Sequence, residues 1–325
     1  MTRQTISLFF VCVIATLTAH TPAAAQTPAQ TPATPDTPRA AVQTLVNAAA
    51  RTALEKFADK KLSESQLAIT LIDMRDPQHR NMASFRGDER IYPASVVKLF
   101  YLVAAHRWLE DGKLKDSAEL QRAMRDMIVV SYNEATHLVL DAVSDTTSGP
   151  ELPAAEMETW ANKRNVVNRY FASLGYANIN TNQKPWCEGP YGRDKVFLGA
   201  KYENRNKLTT NTTARLLAEI VSGQAVSPAR SAKMMELLKR DYAAVSADPD
   251  DQANGFTGIA LKGTDGARLW SKAGWTSTTR HDAAYIELPD GSKFVLVVFT
   301  TDHANEREII PTVARVVIDG MKKLK

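Results

Sequence analysis

The first apolar run of the chain, Ile6 to Leu17, follows Arg3 and ends near the small residues Ala23-Ala24-Ala25. A positive charge, a short apolar stretch and small residues, in that order, predict a signal peptide cut after Ala25, hence a secreted or periplasmic protein. The run falls short of the ~20 apolar residues of a membrane span, so no span is expected. Residues 26–39 are Thr, Pro, Ala and Gln in the main, broken by Pro28, Pro32, Pro35 and Pro38. No periodic apolar face can form there, which predicts a disordered tether.

Apolar positions then recur at helical spacing from Ala40 to Lys60, through Val42, Leu45, Val46, Ala49, Leu54 and Phe57. Between Gln66 and Met74 the period changes to two, with Leu67, Ile69 and Leu71 alternating, which predicts a strand; Met82 to Phe85 suit a short hairpin partner. Pro93 opens a segment that is apolar nearly all round to Trp108, the mark of a buried helix. Further helices are expected at 117–130, 133–143 and 152–174, the last stopped by Gly175. Residues 176–208 show no period, and a loop of that length is usually functional or mobile. Helices follow from Thr209 or Thr210 to Val221 and from Ser227-Pro228 to Arg240. Strands return at 268–273, 283–288 and 293–301, the last two hinged at Pro289-Asp290-Gly291. Ile309, Ile310, Val313, Val316, Val317 and Met321 stripe a terminal helix over 305–325.

Helix, strands, helical block, strands, helix: this order predicts an α+β fold. Its antiparallel sheet is built from both chain ends and flanked by the N- and C-terminal helices, with a mostly helical domain inserted. The α/β part would take residues 40–90 and 222–325, the helical part 91–221.

Composition narrows the function. The net charge is only +4, from 40 basic and 36 acidic residues, with no basic block, so nucleic acid is not an expected partner. Cleavage after Ala25 leaves one cysteine, Cys187, which excludes an intramolecular disulfide. It suits a small, partly buried apolar residue better than a catalytic thiol. The six histidines are scattered without ligand spacing, so no metal and no cofactor is expected.

Three short elements carry chemistry. Ser95-Val96-Val97-Lys98 stands just inside a helix start, where i and i+3 share a face at about 5–6 Å between Cβ atoms. A serine hydroxyl is a poor nucleophile until a neighbour takes its proton. A lysine serves only when neutral, which burial, a second cation and a helix N-terminus all favour. Ser131-Tyr132-Asn133 falls at a junction between helices, and Lys272-Ala273-Gly274 on a strand before the C-terminal hairpin. Singly, each is weak: Ser95, Ser131 and Asn133 could be helix caps, and Lys272 a solvated edge charge.

Together, in this order and context, they resemble the Ser-x-x-Lys, Ser-x-Asn and Lys-Thr-Gly set of class A β-lactamases and penicillin-binding proteins, over roughly residues 40–325. The resemblance implies that Ser95 becomes acylated, Lys98 takes or relays its proton, and Ser131 passes a proton to the leaving nitrogen. It implies that Asn133 binds the substrate's amide side chain, and that Lys272 attracts the substrate carboxylate and lowers the proton affinity of Lys98. The N–H groups of Ser95 and Trp275 would form the oxyanion hole, with Gly274 between.

The sequence departs from that family in two places. Ala273 stands where the family has Thr or Ser, removing a hydroxyl that helps hold the carboxylate; Thr276, Ser277 or Arg280 could compensate, Arg280 through a bidentate fork. The family's Glu-x-x-Leu-Asn, whose glutamate activates the deacylating water, is absent. The nearest match is Trp186-Cys187-Glu188, which leaves Glu188, Asp194 or Glu203 as candidate bases. Thr209 to Thr213 resemble the Thr-rich helix start that closes this loop in class A enzymes. The expected activity is opening of a β-lactam by a monomeric serine hydrolase. A DD-peptidase acting on a peptidoglycan-like substrate is the alternative, and a non-catalytic binding or sensor protein a third.

Overall fold

The structure, a computed structural model, describes residues 37–186 and 189–324. The expected signal peptide, most of the expected tether, and Cys187 and Glu188 lie outside the described residues. Helix α1 (Pro38–Lys56) starts two residues earlier than the apolar spacing suggests. The cap is the reason: the Thr37 hydroxyl accepts from the Ala40 N–H at 3.3 Å, and Pro38 takes the first helical position. Pro38 and Arg39 therefore belong to the helix, not to the tether.

Strands β1 (Leu67–Asp73) and β2 (Asn81–Phe85) pair antiparallel as expected. A tight 3-10 turn, Ala94–Val97, feeds α2 (Lys98–Glu110), which is buried continuously from Lys98 to His106 and forms the centre of the helical block. Around it stand α3 (Ala118–Val129), α4 (Asn133–Ser144), α5 (Ala154–Arg164), α6 (Val166–Ser173), α7 (Gly192–Leu198), α8 (Thr210–Val221) and α9 (Pro228–Leu238).

Two expectations are corrected here. The helix expected over 152–174 is two, α5 and α6, broken at Asn165, whose amide donates to Ala161 O at 3.1 Å and competes with the backbone ladder. The aperiodic stretch 176–208 holds α7, and side-chain amides satisfy much of its remaining backbone. Asn206 Oδ1 accepts from the Asn182 and Gln183 N–H groups at 3.0 and 2.9 Å, and Asn168 Oδ1 accepts from the Thr181 N–H at 2.6 Å. The stretch is clamped to the block by buried charge: Arg164 contacts Asp141 at 2.9 Å and Asp194 at 3.5 Å, and Lys184 meets Asp141 at 2.6 Å.

The chain then closes the sheet with β3 (Lys239–Arg240), β4 (Arg268–Trp275), β5 (Thr279–Glu287) and β6 (Lys293–Thr301), and ends in α10 (Ile309–Met321). The antiparallel strand order is β2-β1-β6-β5-β4-β3, so both chain ends meet at the centre of the sheet, with Thr70 opposite Val297. One face packs Ile69, Leu71, Leu296 and Val298 under α1 and α10. The other packs Ala68, Val295, Val297 and Phe299 against the helical block. Burying each large apolar side chain contributes about 1.5–3 kcal/mol. Strand β6, buried on both faces from Phe294 to Phe299, therefore carries a large share of the stability. At the far edge, β3 pairs with Leu269 and Trp270, so among the described residues no strand covers the outer edge of β4 from Ser271 to Trp275.

Candidate active site

The turn Ala94–Val97 places the first pair. In a 3-10 turn, side chains three apart eclipse, so Ser95 and Lys98 share one face. Ser95 is partly exposed, while Lys98 is fully buried. Lys98 Nζ donates to Ser131 O at 2.6 Å, Ser131 Oγ at 3.2 Å and Asn133 Oδ1 at 2.8 Å.

Ser131 is the meeting point. It lies between α3 and α4 at φ 60°, a left-handed conformation costing on the order of 1–3 kcal/mol in a residue with a side chain. Ala94, just before Ser95, is held the same way at φ 46°. The kink at Ser131 turns its hydroxyl toward both lysines, for Lys272 Nζ reaches Ser131 Oγ at 3.0 Å. Lys272 is 0% exposed and sits well below its ordinary proton affinity. Burial is the main cause, with the Lys98 and Arg240 cations adding to it and Asp282 opposing. Two amines that share one hydroxyl disfavour a state in which both are charged.

The uncovered edge of β4 faces Ser95. A Cβ on Gly274 would lie 2.7 Å from Ser95 N, 2.8 Å from Pro93 O and 2.8 Å from Val96 N, so only glycine admits this approach. Thr276 N–H donates toward β5, to Thr279 O at 2.9 Å, whereas Ala273 N–H donates away from it, to Gln252 Oε1 at 3.2 Å. Alternation along an antiparallel strand then turns Trp275 N–H outward too, onto the edge beside Ser95 N. His281 fixes the approach from behind. Its Nδ1 accepts from Thr300 N–H at 3.1 Å, so Nε2 donates to Tyr92 O at 2.9 Å, and burial lowers its pKa to about 4, which keeps the ring neutral.

The family model for the "Beta-lactamase enzyme family" matches residues 49–321. The chain belongs to the β-lactamase enzyme family. Among solved structures, it is similar to a β-lactamase from Sphaerobacter thermophilus (TM-score 0.60, 20% identity), covering 86% of this chain and 97% of that one. It is similar to PBP-A (TM-score 0.58, 17% identity, 87% and 97% covered) and to a β-lactamase from Chitinophaga pinensis (TM-score 0.57, 17% identity, 83% and 97% covered). At these identities the likeness is one of fold. No curated protein matches the sequence.

The remaining candidates of this family member divide. Asn133 joins the site through Lys98, and its Nδ2 donates to Trp186 O at 3.2 Å, which draws the long loop against the lysine pair. Ala273 and Gly274 line the edge strand. The Thr276 hydroxyl accepts from the Thr278 and Thr279 N–H groups at 3.2 Å each, so it serves the turn. Arg280 is not brought in. It pairs with Trp275 in register and points to the opposite sheet face from Lys272. It is 2% exposed, lies over the Phe256 ring and meets Asp250 at 2.7 Å. Its fork is occupied, so it is corrected from substrate contact to structural anchor. Asp194 is buried against Arg164, and Glu203 is exposed and accepts from Lys201 N–H at 3.0 Å. Glu188 lies outside the described residues. Sequence reasoning missed Gln252 and His281, each a single polar residue outside the three motifs. Among the described residues, no group of three or more His, Cys, Asp or Glu gathers as metal ligands, and no helix is long and apolar enough to cross a membrane.

Proposed function

We propose that the protein is a serine β-lactamase that opens the β-lactam amide through an acyl-enzyme on Ser95. One observation carries this reading: Ser131 Oγ lies 3.2 Å from Lys98 Nζ and 3.0 Å from Lys272 Nζ, beside the turn that presents Ser95. In acylation Ser95 Oγ bonds to the carbonyl carbon and gives its proton to the lysine pair. The oxyanion rests on Ser95 N–H and Trp275 N–H. As the C–N bond breaks, Ser131 passes a proton from the pair to the leaving nitrogen. Lys272, with Arg240 behind it, draws the substrate carboxylate, a charge that the missing hydroxyl at Ala273 leaves to the cations. Deacylation needs a carboxylate to take a proton from water, and Glu188 is the candidate, since Trp186, two residues earlier, is tied to Asn133. The N-terminal pattern supports action outside the cytoplasm; the proposed substrate is a small β-lactam and the proposed acting form a monomer.

A second reading, a penicillin-binding protein of the DD-peptidase kind that retains its adduct, draws on two observations. The Glu-x-x-Leu-Asn pattern is absent, and the fold matches PBP-A, a variant of which is described as an acyl-enzyme complex with penicillin G. Incubation of the mature protein with a chromogenic cephalosporin, followed by colour and by intact mass, separates them. Turnover without a lasting adduct supports the first reading, and a stable adduct on Ser95 the second. Neither signal, or signals unchanged in Ser95→Ala, refutes both.

A further inference from the structure

Gln252 lies in the segment between β3 and β4 and is 6% exposed. Its Oε1 accepts from Lys272 Nζ at 2.6 Å and from Ala273 N–H at 3.2 Å. Its Nε2 donates to Ile128 O at 3.0 Å and Val129 O at 2.8 Å. One amide thus ties β4 to the end of α3, two residues before Ser131. The task suits an amide: it must offer an acceptor to an amine on one side and donors to two carbonyls on the other. A carboxylate would set an oxygen against two carbonyl oxygens, and an apolar side chain would take these bonds from Lys272 Nζ, Ala273 N–H, Ile128 O and Val129 O together.

We infer that Gln252 is a positioning residue for acylation at Ser95: it holds the Lys272 amine against the Ser131 hydroxyl through an acceptor that carries no charge. A neutral acceptor matters because it cancels none of the positive charge that Lys98 and Lys272 share across Ser131, which stays available to an anionic substrate. The groups that set the charge state of Lys272 come from every side: Lys98 on α2 and Arg240 on β3 oppose its protonation, and Asp282 on β5 favours it. None of these is a hydrogen-bond partner of Lys272 Nζ; those are Ser131 Oγ, Gln252 Oε1 and its own neighbour's carbonyl, Ala273 O at 2.7 Å.

The inference rests on the acylation reading above, and its test keeps the two apart. The rate of adduct formation with a fluorescent penicillin is measured against pH for the wild type, Gln252→Met and Gln252→Glu. Gln252→Met removes the acceptor from the charged amine, so both limbs of the profile move to lower pH and the maximal rate falls ~10²-fold, as expected for a reacting group displaced by about 1 Å. Gln252→Glu keeps the shape but adds a negative charge, so the limbs move to higher pH and the rate lost at neutral pH returns in alkali. Opposite displacements are the signature, since a purely structural bridge would lower both rates without moving either limb. Unmoved limbs, or limbs that move the same way in both variants, overturn the inference. If the wild type forms no adduct, the acylation reading falls. The positioning role is then decided by ¹³C-lysine NMR, where an unchanged Lys272 titration in Gln252→Met refutes it.

Discussion

Replacing Gly274 by Ala tests the contact on which the proposed oxyanion site depends. The new Cβ would stand 2.7 Å from Ser95 N and 2.8 Å from both Pro93 O and Val96 N. Ordinary contact begins at 3.4 Å, so the strand edge and the turn must part by 0.7 Å. All three opposing atoms are backbone, and no side chain can swing aside. The strand cannot yield freely, because β4 is registered with β5 along its whole length. The turn is held in turn by His281 through Tyr92 O. Overpacking of this kind typically costs 1–3 kcal/mol, which lowers the melting temperature by a few degrees and leaves the fold intact. The chemistry suffers more. Displacing one of two oxyanion donors costs about 10²–10³ in rate, so adduct formation falls by at least ~10². Stopped-flow acylation beside calorimetry reads both quantities. Acylation within a factor of about three of wild type, with the melting temperature lowered, would show that the Ser95–Gly274 contact has no part in the chemistry.

Three further outcomes are expected. Ser131→Ala removes the hydroxyl shared by Lys98 and Lys272, and adduct formation falls ~10²–10⁴-fold with little change in melting temperature; wild-type acylation would remove Ser131 from the proton path. Acid weakens the fold through buried histidines. His106 and His281 have pKa values of about 4 because burial disfavours the cation, against about 6.5 unfolded, so the unfolded chain binds more protons in that window. Their stabilisation is complete above pH ~6.5 and is lost as pH falls toward 4, roughly 3 kcal/mol each, read by denaturant titration at pH 7.5 and 5; equal midpoints refute it. Arg164→Met strands Asp194 in the interior and destabilises by about 3–5 kcal/mol, and adding Asp194→Leu recovers most of that loss; a double variant no better than the single one counts against a charge origin.

Much of this architecture is legible in the residues themselves. Alternation along Leu67 to Leu71 and the short unbroken apolar run Phe294 to Phe299 mark strands, and the nearly all-apolar run after Pro93 marks a central helix, because burial imposes each pattern. Ser95 and Lys98 are legible as a pair because their spacing alone fixes a common face. Gln252 is not, since its partners stand 20 residues ahead and more than 120 behind, and a polar residue in a loop has no local pattern. Arg280 was misplaced for want of register. Strand β5 begins at Thr279, four residues earlier than the apolar pattern suggests, because Arg280 and Asp282 are polar yet buried and break the hydrophobic run. Once the strand is extended, parity puts Arg280 and Lys272 on opposite faces. The long loop looked formless because its order comes from asparagine and glutamine side chains, which have no period.

The pairing of β1 with β6 has a consequence for how the chain is born. Leu67 and Thr300 are register partners, so the middle of the sheet stays incomplete until the chain has been made through Thr300. Until then β1, whose seven residues are all interior ones, and the apolar stripe of α1 have no permanent mates. Such late, long-range closure makes for slow folding and a sticky nascent chain. A fragment cut off before β6 would keep every motif residue and still be expected to aggregate rather than assemble the cleft.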